Sequence, residues 1–221
     1  MSQSDLEAAR QQLGLFDNQQ PRKLFDWQAT GSKSADGASA AALENATKML
    51  AEMGDKVPLG EGWARRVYVH PINPDRALKI ATGPRGIAQN KGEVMVGNGR
   101  SGMINPLTGH APDFSWVEQV LATPFESAEA MGAHLGMSEH PDFGQLLREI
   151  VEAKQAPAGL SPQARDFYDR AHQLFEDVPE LEVLDLGRYQ QWGLDKNGQI
   201  VLIDYGLLKG MPLAVAGFVQ P

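Results

Sequence analysis

From Lys56 to Ala81 the apolar residues no longer recur at helical spacing and fall into short extended runs, and Met103 to Leu121 adds two more. VPLGEG, ARRVYVH and RALKIA follow one another with only a glycine bend or the turn HPINPD between them, and MINPLTGH and FSWVEQVLA come later. Runs of this length closed by Gly, Pro, Asn and Asp predict strands, the first three in a meander. The stretch between the two groups, Arg85 to Val96, predicts a helix, against the cost of Gly86 and Gly92 at about 1 kcal/mol each relative to Ala. The expectation is a compact unit of five strands and one helix.

The flanks return to helical period. Ser4 and Glu7 form a capping box ahead of Leu6, Ala9 and Leu13, and Gly14 supplies a stop. Residues Asn18 to Gly37 turn polar, interrupted by Leu24, Phe25 and Trp27, a cluster expected to dock on something. A second helix is predicted from Ala38 to Met53, with Leu43, Ala46, Leu50 and Met53 on one face and Gly54 after it. Beyond Thr123 the chain reads as helical: Ser127 to Leu135, a segment starting near Pro141, and the strongest, with Ser161 as N-cap and Pro162 at the first helical position. In that last helix Ala164, Phe167, Tyr168, Ala171, Leu174 and Phe175 share a face, the usual sign of core packing.

Composition excludes several classes of function. A net charge of -8 argues against general nucleic-acid binding, which needs clustered Lys and Arg. With no cysteine, thiolate metal sites and thiol catalysis are ruled out. The five histidines show no paired metal-ligand spacing. The opening MSQSDLEAARQQ has neither the basic nor the apolar region of a signal peptide, and no apolar run nears the roughly 20 residues of a membrane span. An intracellular, cytoplasmic protein without membrane contact is expected.

Near the C-terminus, Gln191–Leu194 and Gln199–Ile203 flank the turn Asp195, Lys196, Asn197, Gly198, which predicts an antiparallel hairpin. Asp185 precedes the hairpin and Asp204 follows it, so folding would bring two carboxylates to one end, suited to a divalent metal and a proton acceptor. The plainer alternative is a surface hairpin with ordinary polar ends. Three further clusters weigh against that alternative. Gly60 and Gly62 stand at the bend between two strands, where backbone amides can approach phosphate oxygens. Lys79 sits in the middle of the apolar strand ALKIA, and Glu93 lies on the following helix, able to pair with it if the helix packs beside the sheet.

A glycine loop, a strand lysine, a helix glutamate, an aspartate, and then a hairpin ending in Asp204, Tyr205, Gly206 resemble the protein kinase family in order and setting. The resemblance covers about Lys56 to Leu208 and looks closest to the small divergent kinase-like proteins of bacteria and their phages. It implies an α+β, protein-kinase-like two-lobed fold, with a five-stranded antiparallel N-lobe sheet and a truncated helical C-lobe. The implied division is a helical extension at 1–54, an N-lobe at 55–121 and an abbreviated C-lobe at 122–221. It implies ATP and Mg2+ as cofactors. Gly60 and Gly62 would cover the triphosphate, Lys79 would contact its α and β phosphates, and Glu93 would hold Lys79. Asp204 would bind magnesium and Asp185 would occupy the place of the catalytic base. Trp116–Val120, with Glu118, would form the strand leading to the adenine.

Several positions depart from the family. Arg65 replaces the third glycine of the loop, a cation able either to bind phosphates or to block them. Val183 and Leu184 precede Asp185 in place of the family's His and Arg. The second metal ligand, usually Asn, is Gln190 by spacing or Gln191 by its place before Trp192 and Gly193. The segment Leu207–Pro221 is too short for an activation segment with its following helices, which leads to the expectation that the N-terminal helices fill the vacated core surface. Two functions follow as alternatives. One is an ATP- and magnesium-dependent phosphotransferase or nucleotidyltransferase on an unknown substrate. The other is a pseudokinase, a binding or structural module with a protein partner, found in the host cytoplasm or the virion if the chain is phage-encoded.

Overall fold

The structure, a computed structural model, describes residues 35–97, 102–137, 159–182, 186–206 and 208–209. The helix expected over Ser4–Gly14, the Leu24, Phe25 and Trp27 cluster, the helix starting near Pro141, and Asp185 lie outside these. The fold is α+β, with a five-stranded antiparallel sheet and, among the described residues, four α-helices. The chain divides into two compact units. One holds the residues up to Met95 with Leu107–Leu121, and the other holds Val96–Pro106 with the chain from Ala122 to Met211.

In the first unit, helix α1 (Ala35–Met53) is followed by strands β1 (Gly60–Glu61), β2 (Arg65–Val69) and β3 (Arg76–Ala81). Helix α2 (Pro84–Val96), β4 (Leu107–His110) and β5 (Trp116–Val120) come next. The sheet order is β1-β2-β3-β5-β4, every neighbouring pair antiparallel. Register fixes its two faces, because directly paired residues point the same way. Tyr68, Leu78 and Glu118 are in line across three strands, as are Arg66, Ile80 and Trp116. Val67, Lys79 and Val117 line the opposite face, with Ala77 and Gln119 beside them.

Helix α1 covers the first of these faces. Ala46 and Met53 pack with Tyr68, Leu78, Ile80 and Trp116, and Met49 and Leu50 adjoin them. Its apolar stripe is therefore spent on the five-stranded sheet. The predicted run MINPLTGH is split: Leu107–His110 pairs with β5, while Ile104 makes a parallel bridge to Leu202 in the second unit.

The second unit contains β6 (Thr123–Pro124), α3 (Ala128–His134), α4 (Pro162–Asp177), a 3-10 turn (Tyr189–Gln191), β7 (Trp192–Leu194) and β8 (Ile200–Leu202). Both helices start on a serine: Ser127 Oγ accepts from Ala130 N at 3.1 Å and Ser161 Oγ from Ala164 N at 3.0 Å. Each satisfies an amide that the first helical turn leaves without a partner. All six residues of the α4 stripe are buried, and Phe167 meets Trp192 edge-on with ring centroids 5.3 Å apart. The hairpin β7-β8 forms as its turn residues predict. Asp195 Oδ1 accepts from the amides of Asn197 and Gln199, each at 2.8 Å, and Gly198 takes the positive φ of 76° that such a turn asks of glycine. The hairpin gains a third strand, because β6 pairs with β7, in a stretch whose sequence reads as helical.

Candidate functional site

The glycine bend, the strand lysine and the helix glutamate all lie in the first unit. Lys79 stands at the centre of β3 on the face opposite Leu78 and Ile80, as alternation requires, and this is the face along which α2 runs. Its ammonium meets Glu93 Oε1 at 2.8 Å, with the lysine side chain 6% exposed and the glutamate fully buried. Strong pairing is what allows two charges to remain in such surroundings.

Other side chains complete the same cluster. Arg65 Nη1 donates to Glu93 Oε1 at 2.7 Å and to Asn90 Oδ1 at 3.3 Å, and Gln119 Nε2 donates to Glu93 Oε2 at 3.0 Å. Arg65 is thus buried on the glutamate. Neither Asn90 nor Gln119 stands out in the sequence by motif. A signal for Gln119 exists nonetheless: Glu118 and Gln119 are consecutive polar residues in an apolar strand, so each must face a different side of the sheet.

Glu118 belongs to the side away from Lys79. Its carboxylate accepts from Arg76 Nη1 and from Thr108 Oγ1 at 2.5 Å, and lies 3.3 Å from His70 Nε2. Its main chain sits inside the sheet, paired with Leu78 on one side and Gly109 on the other. The structure does not bring Glu118 to Lys79. His70 Nδ1 accepts from the amides of Ile72 and Asn73, at 3.2 and 3.1 Å, which leaves the ring proton on Nε2 facing Glu118. Burial pushes the His70 pKa below its usual value and Arg76 adds to this, while Glu118 pulls the other way.

Gly60 and Gly62 flank Glu61 at the exposed bend between β1 and β2, with Gly62 N on Arg65 O at 2.9 Å. A Cβ built at Gly60 meets nothing within 4 Å, and one at Gly62 meets only Arg65 O at 3.7 Å, with no positive φ at either. Neither crowding nor backbone conformation within the chain demands glycine here. A ligand approaching the exposed bend would supply a reason, since a missing Cβ lets it come close to the main chain.

In the second unit Asp204 is half-buried two residues after the end of β8. The Gln191 carbonyl accepts from Ile203 N at 2.7 Å and from Asp204 N at 3.3 Å, so the main chain of Gln191 lies beside Asp204, while Gln190 is exposed. Tyr205 is fully buried, its hydroxyl on the Asn105 carbonyl at 3.2 Å. Among the described residues no group of three or more His, Cys, Asp or Glu side chains is placed to hold a metal. No helix among the described residues is long and apolar enough to cross a membrane.

No protein-family model matches the chain, and neither a curated protein nor a solved structure is significantly similar to it.

Proposed function

We propose that this chain is a kinase-like protein that binds ATP with Mg2+ and transfers a phosphoryl or nucleotidyl group to a substrate. The observation that carries the reading is the buried ion pair between Lys79 on β3 and Glu93 on α2, at 2.8 Å. The exposed glycine bend that precedes it adds support. In this reading the amides around Gly60 and Gly62 cover the phosphates and Lys79 neutralises their charge. Asp204 holds magnesium, with Gln191 or Gln190 as its amide ligand. ATP and Mg2+ fit these residues in kind: a cation on a rigid strand, an exposed glycine bend, and a carboxylate near a strand end. The bound ion would neutralise charge developing on the transferred group, and Asp185 is the residue assigned to accept the substrate's proton.

A second reading is a pseudokinase that keeps the fold as a binding surface. Arg65 favours it, because its guanidinium occupies the same glutamate oxygen as the lysine.

Thermal unfolding with and without ATP and Mg2+ tests the reading. Ligand at about 100 times its Kd stabilises the state that binds it by about 2.7 kcal/mol. The expected result is a clear rise in midpoint that Lys79→Ala and Asp204→Ala each abolish. No rise in the natural protein rejects nucleotide binding. Where binding is seen, transfer from labelled ATP separates the two readings, and label that persists in Asp185→Ala counts against Asp185 as the base.

A further inference from the structure

Glu93 is held by more than the lysine. Its donors come from three strands that are neighbours in the sheet: Arg65 on β2, Lys79 on β3 and Gln119 on β5. Asn90, three residues before Glu93 on α2, accepts from Arg65 and donates through Nδ2 to the Phe114 carbonyl at 2.8 Å. Phe114 is the residue of the β4-β5 turn with a φ of 61°. All five residues, Arg65, Lys79, Asn90, Glu93 and Gln119, are buried.

A lysine alone would restrain a carboxylate weakly, because an ammonium is a point charge on a flexible stem. A guanidinium is a planar fork with fixed donor directions. Arg65 joins two residues of one helix face through Nη1 alone, whose two N–H directions are fixed by the guanidinium plane, and Gln119 fixes the second carboxylate oxygen. The carboxylate is left little freedom to turn away from Lys79.

The geometry points to Arg65 as a positioning residue, which fixes Glu93 against the sheet and so keeps Lys79 in place before any ligand arrives. Only the consequence for nucleotide affinity rests on the proposed function.

The test begins without nucleotide. A buried, paired lysine ammonium exchanges its protons slowly enough to give a nitrogen-15 NMR signal, assigned to Lys79 by its loss in Lys79→Arg. Arg65→Ala should abolish that signal and speed amide exchange over Gln89–Val96 by about tenfold, the loss of one charge-assisted hydrogen bond. Amides of α4 should be unaffected. In a Glu93→Gln background Arg65→Ala should add less than it does in the natural protein, because the charge-assisted bond is already gone and the Asn90 bond remains to be lost, which a merely space-filling arginine would not predict. Arg65→Lys keeps the charge without the fixed donor directions, and should give the same loss in smaller degree if the alanine variant fails to fold. A Lys79 signal and α2 exchange unchanged in both arginine variants overturn the inference. With ATP and Mg2+ added, the folded Arg65 variants should bind more weakly than the natural protein. Absence of binding by the natural protein rejects the nucleotide reading and leaves the ligand-free measurements to decide the role of Arg65.

Discussion

Replacing Gly86 by alanine sets two effects against each other, and the structure decides between them. Helix propensity alone favours alanine in α2 by about 1 kcal/mol. A Cβ at Gly86, however, would lie 2.1 Å from the Ala64 carbonyl oxygen and 2.9 Å from both Cα and Cβ of Ala81. The first is a main-chain atom of the β1-β2 bend and the other two belong to Ala81 in β3, so none can swing aside as a long side chain could. The helix must retreat by about 1 Å, an overpacking strain of the kind that costs about 1–3 kcal/mol. The Ala64 oxygen also accepts from Thr82 N at 2.8 Å, and displacing it endangers a bond worth about 1 kcal/mol. The propensity gain roughly cancels the lost bond, leaving a net destabilisation of about 1–3 kcal/mol. Urea unfolding followed at the methyl resonances of Ile80, fully buried in the same unit, measures it. The midpoint should fall by about 1 M at a typical slope for a small domain. A midpoint equal to or above that of the natural protein would refute the close approach of α2 to β3.

Three shorter predictions concern other parts of the fold. His70 has a folded pKa depressed by burial, so the unfolded chain binds its proton first. The stability it contributes is full above about pH 6.5 and is lost as pH falls through the depressed value, and His70→Gln should flatten urea midpoints across that window. Asp195→Ala removes the acceptor of two turn amides and should cost about 1 kcal/mol, read from amide exchange in β7 and β8. Leu174→Ala, at a fully buried position in α4, should lower stability by about 2–5 kcal/mol in denaturant titration, and a loss well under 1 kcal/mol would contradict the packing of that helix face.

Elements with a strong local signal were legible from the residues alone. Ser161, Pro162 and the stripe from Ala164 to Phe175 predict α4 and its buried face, and Asp195 to Gly198 predict the hairpin turn. The five strands were legible as runs, but their limits were not, because pairing is a property of two segments. VPLGEG contributes only Gly60 and Glu61 to the sheet, and MINPLTGH is divided between two units. Two glycines explain themselves only in three dimensions. Gly86 reads as a flaw in a helix until the sheet beneath it is known. Gly193 sits in β7 where a Cβ would fall 2.7 Å from the Thr123 carbonyl oxygen, in β6. That strand, with two residues and a proline, offers no periodicity to detect. In the candidate site, alternation along ALKIA was enough to turn Lys79 away from Leu78 and Ile80, and the spacing of α2 left Glu93 within reach. Arg65 was legible only as a departure, since its partners Asn90 and Glu93 are distant in sequence.

The pair Glu118 and Gln119 shows how far one step of strand parity separates two environments, and it gives a prediction that a slipped register could not satisfy. Glu118 faces the His70 and Arg76 side, and Gln119 faces Glu93. Gln119→Leu leaves one oxygen of a buried carboxylate without that donor and should cost about 1.5–3 kcal/mol, the range for hydrogen bonds to charged groups. It should not move the titration of His70. Glu118→Gln should do the reverse at the imidazole: Glu118 favours the protonated ring, so its neutral amide should lower the His70 pKa further while leaving the Lys79 ammonium signal in place. Proton NMR titration of His70 in the two variants reads both effects. A His70 shift caused by Gln119→Leu and absent in Glu118→Gln would place β5 one residue out of register, with Glu118 in place of Gln119 on the face that Lys79 and Glu93 share.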